Sequence, residues 1–530
     1  MSTASYPSKA SRKRRRLSLR RPAAWLAKRA IDPETGLWLV IAFAILHVFF
    51  WTLILTKLKA AQDVHTDVAE AFAWGQQFLL GYGKHPPLSG WVAGLWFRFF
   101  PAADWATYLL AMTTVGVGMV ICYLISVRVV DRRRAFAAVV MLAIYPIFNF
   151  KGFKYNADLL QLVTLPLVVL AYLNAFAKPN WRSGVWLGVA AALALLTKYW
   201  VLTMFGAIGL AALIHPERMK FLRSPAPWVA ILTLIVLMIP HLIWLKEVDF
   251  APLIYAGDVY SRPSFAQSAP LVIGYIGHNV ALLLLPVLLG LLALAWPVRW
   301  LSQASRRGTN RSVNRAQALN VWMIQIIAAI GPPLGGLAFM IYMKTDWGIS
   351  LFFLVPLALV ALPRLRLPRI ALVRITAIWL VLSLVTLAAA PSIAAMDFKR
   401  HSTVANSYAS RSQLARQLTT TWHNRFFSRW AAVVGTTEAS TPLTFYSPDH
   451  PAPYTPGEMW SSGLISLQQV KRLGFIGVCD TTDVRLPTCE AWMKANAPKA
   501  EPLIMSTQRF FKGHPGPRVA WKIYIEPPGG

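Results

Sequence analysis

Between residues 36 and 391 long apolar runs alternate with short polar connectors. A helix needs about 20 apolar residues to cross a hydrocarbon core. On that measure the runs predict spans at 37–56, 105–127, 135–150, 157–177, 183–197, 200–214, 226–245, 270–296, 319–342, 349–363 and 370–391, about eleven in all. The pair at 183–214 requires Thr197-Lys198-Tyr199-Trp200 to form a very tight turn. After residue 391 the pattern changes to Ser, Thr and Pro, with alternating segments at Leu443–Tyr446, Gly474–Val478 and Val519–Ile525. Helical periodicity lies near 404–432, 464–472 and 487–495. The expected fold is therefore mainly α, a polytopic helical membrane bundle carrying a small C-terminal α/β domain. Residues 1–35 form a basic tail, 36–391 the membrane domain and 392–530 the C-terminal domain; no solenoid-type repeat is present.

Composition supports a bilayer as solvent: 56% of residues are hydrophobic, 14% are charged and the mean hydropathy is +0.47. The formal charge of +31, from 53 Lys and Arg against 22 Asp and Glu, would suggest nucleic acid in a soluble protein. Here the cations fall in short connectors, so the positive-inside rule explains them and no nucleic acid partner is expected. Lys9, Arg12–Arg16, Arg20, Arg21, Lys28 and Arg29 precede the first span without an acid, which predicts a cytoplasmic N-terminus able to bind anionic lipids. Alternation then assigns Arg132–Arg134, Lys178 with Arg182, Arg218–Arg223, Arg299–Arg315 and Arg364–Arg369 to the cytoplasmic side. The connectors around Asp67, Asp158, Glu247, Asp249 and Asp346, and the C-terminal domain, fall on the outer side. The first span is read as an uncleaved helix rather than a signal peptide. Cys122 sits in an apolar span as a packing residue. Cys479 and Cys489 are expected to form a disulfide if their domain faces an oxidising compartment.

Three outer connectors carry candidate chemistry. The first, within residues 57–104, holds Asp63, His65, Asp67, Glu70, Lys84 and His85, with Trp74, Tyr82 and Pro86-Pro87 as a stiff interfacial wall. A carboxylate at a water–membrane boundary can take a proton from an incoming hydroxyl, and Lys or His can hold a phosphate. Solvated loop charges beside an aromatic belt are the plainer reading. The second, Lys151–Asp158, adds Asn156 and Asp158, which helix capping would also explain. The third supplies Lys198 and Lys246 at helix ends, where snorkelling is the ordinary role. Acids and cations from three connectors on one face nonetheless outline a composite pocket.

The segment Asp67–Trp91, with Asp67, Trp74, Gln76, Gly81-Tyr82 and His85-Pro86-Pro87-Leu88, resembles the first outer loop of the polytopic GT-C glycosyltransferases of families 39 and 83. These include protein mannosyltransferases, aminoarabinose transferases of lipid A and rhizobial galacturonosyltransferases. The resemblance continues through Tyr155–Asp158, Leu196–Tyr199 and Pro240–Trp244, and covers about residues 36–250. It implies a GT-C bundle that moves a sugar from a polyprenyl-phosphate donor to an envelope acceptor, with membrane lipids around it. The acceptor would be lipid A or lipopolysaccharide, another glycolipid or a protein, on the periplasmic face of a bacterial inner membrane. Asp67 is then the expected base and Asp158 a second catalytic carboxylate, with Glu70, Tyr82, Lys84, His85, Asn156 and Lys198 binding substrate. Asp63, outside the motif, is expected to matter far less.

Two departures qualify this pattern. The usual Asp-Glu pair is Asp67-Val68, and the acid before His-Pro-Pro is Lys84. No cofactor is expected, and Lys84 disfavours a divalent ion. The competing readings are a transporter or flippase, and a non-catalytic scaffold. Charges gathered on one face rather than at mid-membrane disfavour the first; Asp67→Ala separates an enzyme from the second.

Overall fold

The computed structural model describes residues 28–30, 32–295, 313–363, 365, 367–401, 405–458 and 463–529. The basic run Lys9–Arg21, the arginines Arg299, Arg306, Arg307 and Arg311, and Arg364 with Arg366 lie outside the described residues.

Among the described residues, seven helices are long and apolar enough to cross a membrane: Thr35–Leu58, Asp104–Val129, Ala157–Ala177, Ala226–Glu247, Phe265–Ala293, Arg315–Ala338 and Ile370–His401. The chain is a multi-pass membrane protein. Two shorter apolar helices, Trp181–Leu195 and Tyr199–Ile214, occupy the expected pair and meet at the tight turn. The run expected at 135–150 is instead bent by 80° between Arg132–Ile144 and Pro146–Phe153. Pro146 has no N–H to continue the helix, and the Asn149 amide donates to the exposed carbonyls of Ala143 (3.2 Å) and Tyr145 (3.0 Å). The expected span 349–363 is broken into a 3-10 turn, Thr345–Leu351, and a short helix, Val355–Val360. Its Leu351, Phe353, Leu354, Leu357 and Val360 are buried in the protein core. Hydropathy registers burial, and cannot distinguish a protein interior from lipid.

The C-terminal domain is a five-stranded mixed sheet of order β2-β1-β3-β5-β4, built from β1 (Ala432–Gly435), β2 (Ala452–Tyr454), β3 (Phe475–Asp480), β4 (Leu503–Phe511) and β5 (His514–Glu526). β1 runs parallel to β2 and β3, while β5 is antiparallel to β3 and β4. Alternate strand residues serve opposite faces. Val433, Ile476, Val478, Trp521 and Ile523 pack with Leu414, Leu418 and Trp422 of helix Arg411–Phe426. Ala432, Val434, Phe475 and Cys479 pack with Val470, Cys489 and Met493 on the other side. Cys479 and Cys489 are disulfide-bonded, with Cα atoms 5.9 Å apart.

One element departs from expectation. Leu443–Tyr446 is the end of a helix, Thr437–Tyr446, and not a strand. Its β-favouring Thr, Phe and Tyr side chains are overridden by burial on both sides: Leu443 enters the domain core and Phe445 meets Val68 and Phe72 in the connector that follows the first span.

Candidate active site

The connector that follows the first span folds as a helical hairpin. Helix Thr66–Gly75 starts at His65, whose Nδ1 accepts the Asp67 N–H at 3.1 Å, and helix Leu88–Trp96 returns against it. Gly75 and Gly94 lie at the crossing, where a Cβ on either would run into the other's backbone. Between the helices, Tyr82 and His85 exchange backbone hydrogen bonds of 2.9 and 3.2 Å. This tight loop turns Lys84 back to donate to Glu70 at 2.6 Å. Their side chains are only 16% and 13% exposed. Burial alone would lower the Lys84 pKa, but Glu70 outweighs it and keeps the ammonium charged.

Asp67 faces a second connector. Asn156 donates to its Oδ2 at 2.8 Å while its own Oδ1 caps helix Ala157–Ala177 by accepting from Leu159 N. One residue thus fills both the capping and the site role. Lys154 lies 3.5 Å from the same carboxylate oxygen. Burial opposes ionisation of Asp67, but His65, Lys154 and the Asn156 hydrogen bond hold its carboxyl far below the usual carboxylate range. Burial also keeps His65 below its usual range, so at neutral pH Lys154 and Asn156 balance the Asp67 charge. Asp158 accepts from Lys198 at 2.6 Å and from Gln161 at 3.2 Å. Lys198, at the tight turn between short helices, is 9% exposed.

Two cavities meet at the Asp158–Lys198 pair. One, small at about 30 Å³, is lined by Lys151, Lys154, Asn156, Asp158, Asp346 and Ser350. The other, of about 390 Å³, is walled by Trp200, Tyr255, Tyr260 and Trp347 and carries Lys84, His85 and Lys198. Burial, then Lys198 and Lys84, hold His85 well below its usual range. It is therefore a neutral hydrogen-bonding group, not the cation that residue type alone suggests, and Lys84 and Lys198 supply the positive charge.

The structure thus brings together Asp67, Glu70, Lys84, His85, Asn156, Asp158 and Lys198. Tyr82 is not with them. It is 2% exposed, stacked on Trp74 at 5.2 Å and donating to the Gln77 carbonyl at 2.7 Å, so its role is to shape the loop.

Sequence reasoning missed the network around Asp346, which meets Lys151 at 3.3 Å and both Lys154 and His278 at 3.7 Å. His278 carried a usable signal, as an ionisable residue within an apolar run. Lys154 stood two residues from Asn156. The aromatic wall carried none, since Trp and Tyr populate every interface. Among the described residues, no three of His, Cys, Asp or Glu converge to hold a metal ion.

A helical membrane bundle with carboxylate-bearing cavities and a C-terminal sheet domain is a fold shared with solved membrane proteins. The fold matches ArnT from Cupriavidus metallidurans with bound undecaprenyl phosphate at a TM-score of 0.57 and 13% identity, over 93% of this chain and 98% of that one. The apo form of the same protein gives 0.57 and 12% identity, over 95% and 98%. Residues 84–244 match the family model for dolichyl-phosphate-mannose-protein mannosyltransferase. Two proteins of Rhizobium johnstonii are also similar. The lipopolysaccharide core galacturonosyltransferase RgtB is 25% identical over 39% of this chain and 43% of its own length. The lipid A galacturonosyltransferase RgtD is 22% identical over 43% and 47%. The chain spans less than half the length of these curated relatives. All three comparisons support the resemblance to the GT-C glycosyltransferases.

Proposed function

We propose that the chain is a glycosyltransferase that moves a sugar from a polyprenyl-phosphate donor to an envelope acceptor at the periplasmic face of a bacterial inner membrane. The acceptor class is lipid A or lipopolysaccharide, another glycolipid, or a protein. One observation carries this reading: the Asp158–Lys198 pair joins a cavity that also holds Lys84 and His85 to one lined by Lys154 and Asn156, the two residues that hold the Asp67 carboxylate. The undecaprenyl phosphate of the ArnT structure supports a lipid-linked donor.

The chemistry follows from the groups present. The donor's tail lies among apolar helices and its phosphate enters the aromatic-walled cavity, where Lys84 exchanges Glu70 for it and Lys198 adds a second charge. The acceptor oxygen attacks the anomeric carbon in line with the phosphate. The bond from anomeric carbon to phosphate oxygen breaks with its electron pair leaving on the phosphate, which the lysines stabilise. The hydroxyl proton passes to Asp67. A carboxylate held so firmly ionised is a weak base, so it takes the proton late, once carbon–oxygen bonding has made the hydroxyl acidic. Asp158 keeps Lys198 oriented. His85 donates a neutral hydrogen bond, and the reaction needs no divalent ion because Lys84 provides charge at the donor.

The test is transfer from a polyprenyl-phosphate sugar to envelope acceptors by the protein in nanodiscs. Mass spectrometry of envelope glycans from a deletion strain should show one missing sugar. An unchanged glycan profile together with no transfer in vitro would refute the proposal.

A further inference from the structure

The Asp67 helix is gripped along its length by the C-terminal domain. Before it, the Asp63 side chain is fully buried and ion-paired with Arg509 of β4 and, at 3.6 Å, with Arg411. The Arg411 N–H donates to Asp63 Oδ2 at 3.1 Å, and Asp63 N donates to the Ser407 carbonyl at 2.7 Å. Arg509 also donates to the Gln62 carbonyl at 3.0 Å. At the next residue, Val64 N donates to the Tyr446 hydroxyl at 2.6 Å, and that hydroxyl donates to Asp104 at 2.8 Å. One oxygen thus ties the connector, the helix Thr437–Tyr446 and the span Asp104–Val129. Midway along, Phe72 meets Phe445 at 5.2 Å and His450 at 5.0 Å. Past its end, Gln77 donates to the Leu464 carbonyl at 2.6 Å.

None of these contacts touches the cavities that hold Lys84, Lys198 or Asp158. The helix itself carries Asp67 and Glu70, one turn apart and facing groups on other elements. Only His65 separates Val64, the last residue clasped ahead of the helix, from the helix start at Thr66. We propose that the C-terminal domain is the positioning element of this helix, with Asp63, Arg509 and Tyr446 as positioning residues that set Asp67 against Asn156 and Lys154. This rests on the glycosyltransferase reading. Asp63 therefore matters far more than its place outside the motif suggests.

Tyr446→Phe removes one oxygen and keeps the ring that packs on Phe445, so it is the least disruptive test; Asp63→Asn and Arg509→Lys accompany it. Turnover, donor KM, undecaprenyl phosphate binding and hydrogen–deuterium exchange over residues 66–75 are measured on the full-length protein. Because a misplacement of about 1 Å costs on the order of a hundredfold in rate, Tyr446→Phe and Asp63→Asn should lower kcat by about tenfold to a hundredfold. Undecaprenyl phosphate binding should stay within about twofold of wild type, with faster exchange confined to the 66–75 helix and its flanks. Arg509→Lys, which keeps the charge, should retain more turnover than Arg509→Gln. Wild-type kcat and exchange in both Tyr446→Phe and Asp63→Asn overturn the positioning role. Donor binding lost in step with turnover overturns it too, because the domain would then be supporting the whole bundle. A wild-type protein that transfers no sugar refutes the glycosyltransferase reading, while the exchange data still decide whether the domain holds the helix.

Discussion

Asn156 donates an amide N–H to Asp67 at 2.8 Å across 89 residues of sequence. The same side chain caps the next membrane helix, so the dipole of that helix and the Asp67 carboxylate are mechanically linked. Two connectors that enter the fold separately become one site through this bond.

Asp67→Asn preserves shape and removes the proton acceptor. Turnover should fall by about 10²- to 10⁴-fold, with undecaprenyl phosphate binding little changed. Asn156→Ala loses both its bonds and should combine a smaller rate loss with reduced stability of about 1 kcal/mol from the missing cap. Near-normal turnover in Asp67→Asn would transfer the base role to Asp158.

Lys84→Ala removes one of two charges at the donor cavity. A charge-assisted bond is worth about 1.5–3 kcal/mol, so donor affinity should drop by about tenfold to a hundredfold. The change strands Glu70 in a buried position; Lys84→Ala with Glu70→Gln separates that cost from lost phosphate binding. Unchanged donor affinity in both variants would exclude Lys84 as a phosphate ligand.

Asp63→Ala breaks a fully buried ion pair by removing one partner. Such losses cost about 3–5 kcal/mol because the arginines lose their buried carboxylate. Chemical unfolding of the C-terminal domain, followed by its tryptophans, should show a loss of this size. Asp63→Asn keeps hydrogen-bonding oxygen and nitrogen and should cost less.

The disulfide joins β3 to the helix Leu486–Asn496 with a sequence separation of 10. A loop of that length implies about 3 kcal/mol of stabilisation on the chain-entropy account. Cys479→Ala with Cys489→Ala should lower domain stability by about that amount, and thiol titration of native protein should find neither cysteine free.

Acid should destabilise the Thr66–Trp96 hairpin before it protonates Asp67. His85 and His65 have folded pKa values below the ordinary His value, so their unfolded forms bind protons first. Stability should therefore fall as pH drops below about 6.5 and keep falling until the folded values are reached. Asp67 has the depressed pKa of a stabilised carboxylate. Its contribution is complete above about 4 and is lost only as pH falls through its folded value. Thermal unfolding from pH 8 to pH 5 should show the histidine part, and His85→Gln should flatten it.

Much of the architecture was legible because the bilayer imposes a length and a composition on each span. The spans at 105–127, 157–177 and 226–245 agree with the structure to within a few residues. The tight turn at Lys198 and the helix and strand positions around Phe475–Asp480 and Leu486–Asn496 were also readable. One apolar run misled, 349–363, which is buried in protein, while 135–150 is helical and apolar as expected but bends at Pro146. In the site, acid, amide and cation types marked Asp67, Asn156, Asp158 and Lys198. Asp346 and His278 join the site because a connector and a helix far apart in sequence converge on Lys151 and Lys154.

By itself the sequence determined that this is a multi-pass bundle with a terminal α/β domain, and which connectors carry ionisable groups. Those properties are local, set by run length, period and charge. The tertiary structure decided which acid meets which cation, that Tyr82 is sequestered against Trp74, that His85 stays neutral and that Asp63 is buried in an ion pair with the C-terminal domain. The reason is that ion pairing and desolvation depend on distances of a few ångströms between residues tens to hundreds of positions apart. No periodicity along the chain encodes those distances.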